Sequence, residues 1–235
     1  MHPVILVAGA SGGLGTSTFA AVLATVLAKD GSPTLVDADT GGGGLDTTLA
    51  VEHLDGLRWG DLTEHEGAVD AGALRRHLPQ GSVPVLAARG RGPSATTVRS
   101  VTTGLARIGP VVVDLPVGPP APVWADLADL VIVLVGVRPR WLRDGERVAA
   151  ALGDLEDRVL LVTRRPRLAG RVAARAGEHL RMPLLDHLPD DPGVVRDEAR
   201  GRAPRPRGQI GAVARAAAAA LPVPSLGERV LGLAS

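Results

Sequence analysis

At 235 residues, with 45% hydrophobic and 22% charged side chains, the chain holds enough apolar material for a sizeable globular core. A formal net charge of +1 argues against a partner chosen by nucleic-acid electrostatics, and the absence of cysteine removes disulfide and thiolate chemistry and fits a reducing, cytoplasmic compartment. No stretch approaches the roughly 18 charge-free apolar residues of a membrane span, and the Val4–Ala8 run is too short, and leads too directly into glycines, to read as a secretory leader.

Aromatic residues make up only 2% of the chain, so the core must be built from Val, Leu and Ala. Short apolar, β-branched runs alternate with helical stretches, the pattern of βα units around a parallel sheet. The predicted strands are Val4–Ala8, Thr34–Asp37, Val83–Ala88, Val111–Asp114, Leu130–Val135, Val159–Thr163 and Leu184–Leu188. The first helix follows the opening glycine loop, with Phe19, Val22, Leu23, Val26 and Leu27 on one face, and is expected to stop at Asp30-Gly31. Later helices are predicted at Ala149–Leu155, Gly170–Leu180 and Ile210–Leu221, the last containing five consecutive alanines. The turn-rich loops Pro116–Pro122 and Gly201–Gly208 are too short to be linkers. The expectation is one domain over residues 1–221, a doubly wound, mainly parallel α/β sheet with helices on both faces, and a loosely docked C-terminal extension over 222–235.

The segment LVAGASGGLGTST (residues 6–18) places a glycine-rich turn between a strand and a helix, the setting in which backbone N–H groups cradle phosphates. Candidate phosphate-binding positions are Gly12, Gly13, Leu14, Gly15, Thr16, Ser17 and Thr18. Thr16 stands where a Walker-type loop carries the lysine that reaches the β- and γ-phosphates; Ser17 keeps the hydroxyl that would ligate Mg²⁺. No local lysine substitutes, because the single lysine of the chain, Lys29, lies about 20 Å further along the helix at 1.5 Å per residue. A hydroxyl is no replacement for an ammonium. A glycine-rich turn with no ligand remains the alternative. The second strand ends in Val36-Asp37-Ala38-Asp39 and the fourth in Val113-Asp114-Leu115-Pro116, delivering carboxylates to the sheet edge where open α/β folds bind ligands. Asp114 is presented as a Walker B carboxylate is presented to the water shell of Mg²⁺, so Ser17, Asp37 and Asp114 are the candidate metal residues. Taken singly, each Asp is equally a turn initiator or helix cap. The sixth strand ends Val162-Thr163-Arg164-Arg165, at the level of a nucleotide base.

With these segments in this order, the chain resembles the MinD/ParA family of deviant Walker ATPases. That family's loop reads Gly-Lys-Gly-Gly-x-Gly-Lys-Thr; residues 10–17 here read Ala-Ser-Gly-Gly-Leu-Gly-Thr-Ser. Gly12, Gly13 and Gly15 match, Ser11 replaces the signature lysine and Thr16 the phosphate-loop lysine. The resemblance implies a first switch at 36–46 with Asp39 orienting the attacking water, a second switch at 114–118, ATP or ADP with Mg²⁺ as cofactor, and a homodimer. Segments 138–147 and 188–204 look familial as well. The loop and the 41–62 stretch are most similar to the CpaE/TadZ branch, with the actinobacterial septum-site-determining proteins as the nearest likeness. That branch implies a localisation factor for Tad/Flp pilus or secretion machinery or for division proteins, recruited to pole, septum or membrane by partners. Many of its members carry an N-terminal receiver-like domain, which has no counterpart in these residues.

Losing one preorganised charge at a transferring phosphoryl group costs roughly 10²–10³ in rate, so two losses imply weak nucleotide binding and very slow hydrolysis. Two alternatives stand beside this reading. One is a working ATPase completed by a partner or by arginine, with Arg89, Arg91, Arg138 and Arg140 near the sheet edge. The other is a ParA-like nucleoid-binding module using Arg200, Arg202, Arg205 and Arg207, although a solvated loop is the better explanation of these, given the net charge and the absence of interleaved aromatics. The six histidines show no metal-ligand spacing, and no Gly-x-Ser-x-Gly elbow is present. The tail residues Leu226, Val230, Leu231 and Leu233 suggest at most peripheral membrane contact.

Overall fold

The computed structural model describes residues 1–39, 44–63, 65, 67–90, 92–164 and 170–221. Arg91, Arg165, positions 40–43 of the expected first switch and the expected extension 222–235 therefore lie outside the described residues.

Seven strands form one sheet: β1 Val4–Gly9, β2 Thr34–Asp37, β3 Val85–Leu86, β4 Val111–Asp114, β5 Leu130–Gly136, β6 Val159–Arg164 and β7 Leu184–Leu188. Their order is β3-β2-β4-β1-β5-β6-β7, and every neighbouring pair is parallel. This is the doubly wound sheet expected from the alternating runs. Successive strands step out to one side of β1 and then to the other, so the carboxyl end of β1 lies at the switch point where such sheets bind ligands. The predicted third strand shortens to two residues because its end is engaged elsewhere. Ala87 O accepts from the Trp59 N–H, and the Ala88 N–H donates to Asp37 Oδ2.

The helices are α1 Thr16–Leu27, α2 Leu45–Thr48, α3 Ala71–His77, α4 Ala95–Ala106, α5 Pro122–Ala125, α6 Pro139–Ala151, α7 Gly170–Leu180, α8 Pro192–Glu198 and α9 Gly208–Ala219, with 3₁₀ turns at Trp59–Leu62 and Gly153–Arg158. The first helix ends earlier than Asp30-Gly31. Lys29 and Asp30 donate to Val26 and Leu27 O, tightening the last turn from i−4 to i−3 bonding. The helix expected at Ala149–Leu155 is in fact the last turn of α6 and the 3₁₀ turn after it. Pro139 begins α6 at a position where its missing N–H leaves no bond unmade, and Leu152-Gly153 closes it.

Strands β1 to β5 are buried throughout and β6 nearly so, whereas the edge strand β7 is mostly half-buried. Ile5 and Val7 belong to an apolar cluster with Phe19 and Leu23 of α1 and Val213 and Ala217 of α9. Val4, Leu6 and Ala8 belong to the opposite one, with Val101 and Leu105 of α4 and Val148 of α6. Helix α1 is buried almost all round, between the sheet and α9, which fixes the direction in which its N-terminus leaves the glycine loop. No helix among the described residues is long and apolar enough to cross a membrane.

Candidate functional site

The β1–α1 connection turns on two glycines in the left-handed region, Gly13 (φ 71°) and Gly15 (φ 79°). Gly15 is the N-cap of α1 and supplies no side-chain acceptor, so the first amides of the helix have no cap from their own segment. The loop is held from beneath: Ala10 N–H donates to Leu134 O, and Gly118 N–H, from the segment after β4, donates to Gly9 O. Thr16 does not reach outward. Its Oγ1 packs so closely over Gly9 that a Cβ there would overlap it. The Ser11 hydroxyl is engaged as well, its Oγ donating to Asp144 Oδ2 of α6 at 2.5 Å. That bond, with Arg147 on the other carboxylate oxygen, holds the Asp144 carboxyl below its ordinary range. Leu14 is a core residue, and what it presents to the loop is its backbone.

Opposite the loop stand the carboxylates. Strands β2 and β4 pair with Asp37 beside Asp114, so both leave the sheet at one level. Asp37 Oδ1 accepts from the Asp39 N–H at 2.9 Å, and the Asp37 carbonyl accepts from Trp59 Nε1 at 2.7 Å. Burial pushes Asp37 up to about 6, against its backbone hydrogen bonds. Asp114 is pushed up to about 7, first by burial, with Asp37 and Asp39 adding repulsion and a hydrogen bond from the Ser17 hydroxyl opposing it. Asp114 Oδ1 is buried with no hydrogen-bond partner. Gly12, Gly13, Gly15, Thr16, Ser17, Thr18, Asp37, Asp39 and Asp114 all line one cavity of ≈300 Å³. Every residue singled out around the loop, Leu14 excepted, is thus brought to the same space. Replacing Trp59 with phenylalanine is expected to cost about 1–2 kcal/mol, since it leaves the buried Asp37 carbonyl unpaired; urea denaturation measures it.

No family model matches the chain. It is 32% identical over 226 residues to Rv3660c of Mycobacterium tuberculosis strain H37Rv and to its counterpart MT3760 in strain CDC 1551, both uncharacterized. The match covers 93% of this chain and 64% of each relative, so the chain spans less than two thirds of the curated relatives' length. Among solved structures, a ParA family ATPase from Chlorobium tepidum superposes with a TM-score of 0.80 at 17% identity, covering 94% of this chain and 100% of that one. The Aquifex aeolicus MinC:MinD complex gives 0.72 at 22%, over 94% and 98%. The septum site-determining protein MinD with Mg-ADP from Pyrococcus horikoshii gives 0.67 at 19%, over 92% and 95%. The fold is that of the MinD/ParA P-loop ATPases.

Two residues of this MinD/ParA-like sheet edge matter more than the sequence suggested. Arg164 ends β6 and folds over the loop: Nε donates to Leu14 O at 2.6 Å, Nη1 to Leu188 O and Pro189 O at 2.9 and 3.0 Å, and Nη2 pairs with Asp190 at 3.6 Å. Its guanidinium lies against Gly15 and lines a second groove of ≈390 Å³ with Gly13, Leu188 and Val194. At this strand end, expected to lie at the level of a base, Arg164 acts as a clamp joining the glycine loop to the end of β7. Arg58 is also buried, donating to Gly56 O and Leu54 O and lying 3.6 Å from Asp46, so it ties the 54–58 segment to the first turn of α2. A charged residue closing an apolar strand was the only trace of Arg164 in the sequence; Arg58 left none. Of the arginines considered as replacements for lysine, Arg91 lies outside the described residues. Arg89 is exposed, Arg138 lies over the Trp141 ring at 4.9 Å, and Arg140 lines the neighbouring cavity on the α6 side of Ser11.

Proposed function

We propose that this chain is a positioning protein on the MinD/ParA fold that binds magnesium nucleotide at the glycine loop and turns it over very slowly or not at all. The observation that carries the reading is Asp114: a buried carboxylate, bonded to Ser17 and left with an unpartnered oxygen, facing a left-handed glycine loop. The donor set fits Mg²⁺. It is all oxygen, and among the described residues no three His, Asp or Glu side chains form a cage of their own, as suits an ion that keeps most of its waters. When bound, Mg²⁺ and nucleotide supply phosphate charge and its partial neutralisation. Ser17 and Asp114 would hold the ion, with Asp37 behind them. The loop amides and the uncapped start of α1 would receive phosphate oxygens, and Asp39 at the cavity wall would orient water. What the site lacks is cationic: among the described residues no lysine or arginine lines the ≈300 Å³ cavity, and Ser11 is committed to Asp144. That favours a nucleotide-gated or retired switch over a working ATPase.

The finer assignment is to a CpaE/TadZ-like positioning factor, a homodimer serving Tad/Flp pilus or secretion components or division proteins. It is supported by the loop and by the 41–62 stretch, and by the partnered state of one structural neighbour, MinD with MinC. Calorimetry with Mg-ATP tests the nucleotide reading. Micromolar binding weakened at least tenfold by Asp114→Ala is expected. Turnover above about 1 s⁻¹, in the ordinary range of enzymes, would sink the slow-site proposal. Absence of binding in both the wild type and Thr16→Lys would remove nucleotide from the function.

A further inference from the structure

Away from the glycine loop, α8, the 200–207 loop and the start of α9 enclose a cavity of ≈470 Å³. Five arginines line it (196, 200, 202, 205 and 207) against two aspartates, Asp191 and Asp197. That is an excess of three positive charges in one concavity of a chain whose formal net charge is only +1. The arginines have different tasks. Asp197, buried at 7% exposure, pairs with Arg205 at 3.2 Å and Arg207 at 3.7 Å, and its carbonyl accepts from the Arg200 and Arg202 amides. Asp191 caps α8 through the Gly193 N–H, and Arg215 of α9 donates to Pro206 O. The frame is therefore built from buried and backbone contacts. Among the described residues, no hydrogen bond or ion pair engages the guanidinium groups of Arg196, Arg200 and Arg202, and all three are exposed.

We propose that this cavity binds a small polyanion carrying two or more phosphate groups, at a site separate from the glycine loop. Three guanidinium groups without partners repel one another, and a multivalent oxyanion relieves that repulsion while offering each fork a bidentate partner. Concavity and size fit a compact ligand rather than a duplex, which a ridge or stripe of charge tracks, and no aromatic residue stands among the arginines to stack a base. The cavity shares no lining residue with the ≈300 Å³ cavity of the glycine loop, and it meets the ≈390 Å³ groove beside Gly13 and Gly15 only at Asp191 and Val194; none of its five arginines lines either of those spaces, so the proposal does not depend on nucleotide binding there.

Titration of the whole chain with inorganic triphosphate, without Mg²⁺ and at low salt, tests it by calorimetry. Affinity is expected to fall at least tenfold in Arg200→Ser/Arg202→Ser and to recover only in part in Arg200→Lys/Arg202→Lys, where the charge returns without the fork. Both substitutions keep the backbone bonds to Asp197, so thermal denaturation should be unchanged. Gly13→Asp, which sets a carboxylate in the glycine loop at a φ that Asp tolerates, should bind triphosphate as the wild type does. Loss of binding in Gly13→Asp with retention in the double serine variant would place the ligand in the glycine loop and overturn the proposal. So would equal affinity for citrate, tighter binding of a 20-base-pair duplex through the same arginines, or no heat with triphosphate at millimolar concentration.

Discussion

Replacing Asp114 with asparagine is expected to stabilise the ligand-free protein at pH 8 by roughly 2 kcal/mol, a rise in Tm of about 4–8 °C, while abolishing Mg²⁺-dependent nucleotide binding. The carboxyl group is 6% exposed, pushed up to about 7 from an ordinary 3.8, and stands beside Asp37, itself pushed up to about 6. Because the folded value lies above the unfolded one, the native state holds protons that the unfolded chain has released. Between about pH 4 and pH 7 stability therefore falls as pH rises, and above that window the whole penalty of an ionised, buried Asp114 is in force. Asparagine removes the charge and keeps an oxygen to accept from Ser17. Thermal melts of both proteins at pH 5 and pH 8 measure the effect: a small difference at the lower pH and a large one at the higher. Equal melting at both would mean that Asp114 carries no buried charge. A site that is destabilising when empty and ionised is what a divalent cation would relieve, so the same variant separates stability from binding.

Arg164→Ala is expected to cost about 2–4 kcal/mol in urea denaturation, because three carbonyl oxygens lose a charged donor and a buried guanidinium leaves a gap beside Gly15. The ion pair with Asp190 adds little, since that carboxylate is 56% exposed. Arg164→Lys should recover less than half of the loss, as one ammonium cannot span Leu14, Leu188 and Pro189 together. The two variants should also accelerate hydrogen exchange of the 13–16 amides relative to those of β1. A loss below about 0.5 kcal/mol, with unchanged exchange in the loop, would show that the loop holds its shape without the clamp.

The strand pattern was readable because parallel strands are buried on both faces. Continuous runs such as Val111–Val113 and Leu130–Val135 announce themselves without alternation, and all seven predicted strands form. Helices packed on one side only, with mixed sequences, were harder. Helix α4 contains four threonines and α8 has seven residues, and neither presents a long apolar stripe. The glycine loop, Ser17, Asp37, Asp39 and Asp114, which line one cavity, could be singled out because a glycine-rich turn and strand-end carboxylates are local signatures, a few residues long.

The amino-acid sequence by itself determined the sheet, the glycine loop between β1 and α1, and the loss of both loop lysines, since each is a property of neighbouring residues. Tertiary structure alone decided what the replacements do. Ser11 is bound to a carboxylate 133 residues away, and Leu14 is clamped by an arginine 150 residues away. It also decided that Asp37 and Asp114 share one level at the sheet edge, that burial raises both, and that five arginines close around a single cavity. These are matters of distance and desolvation between groups remote in the chain, and neither quantity exists until the strands are ordered and the helices packed.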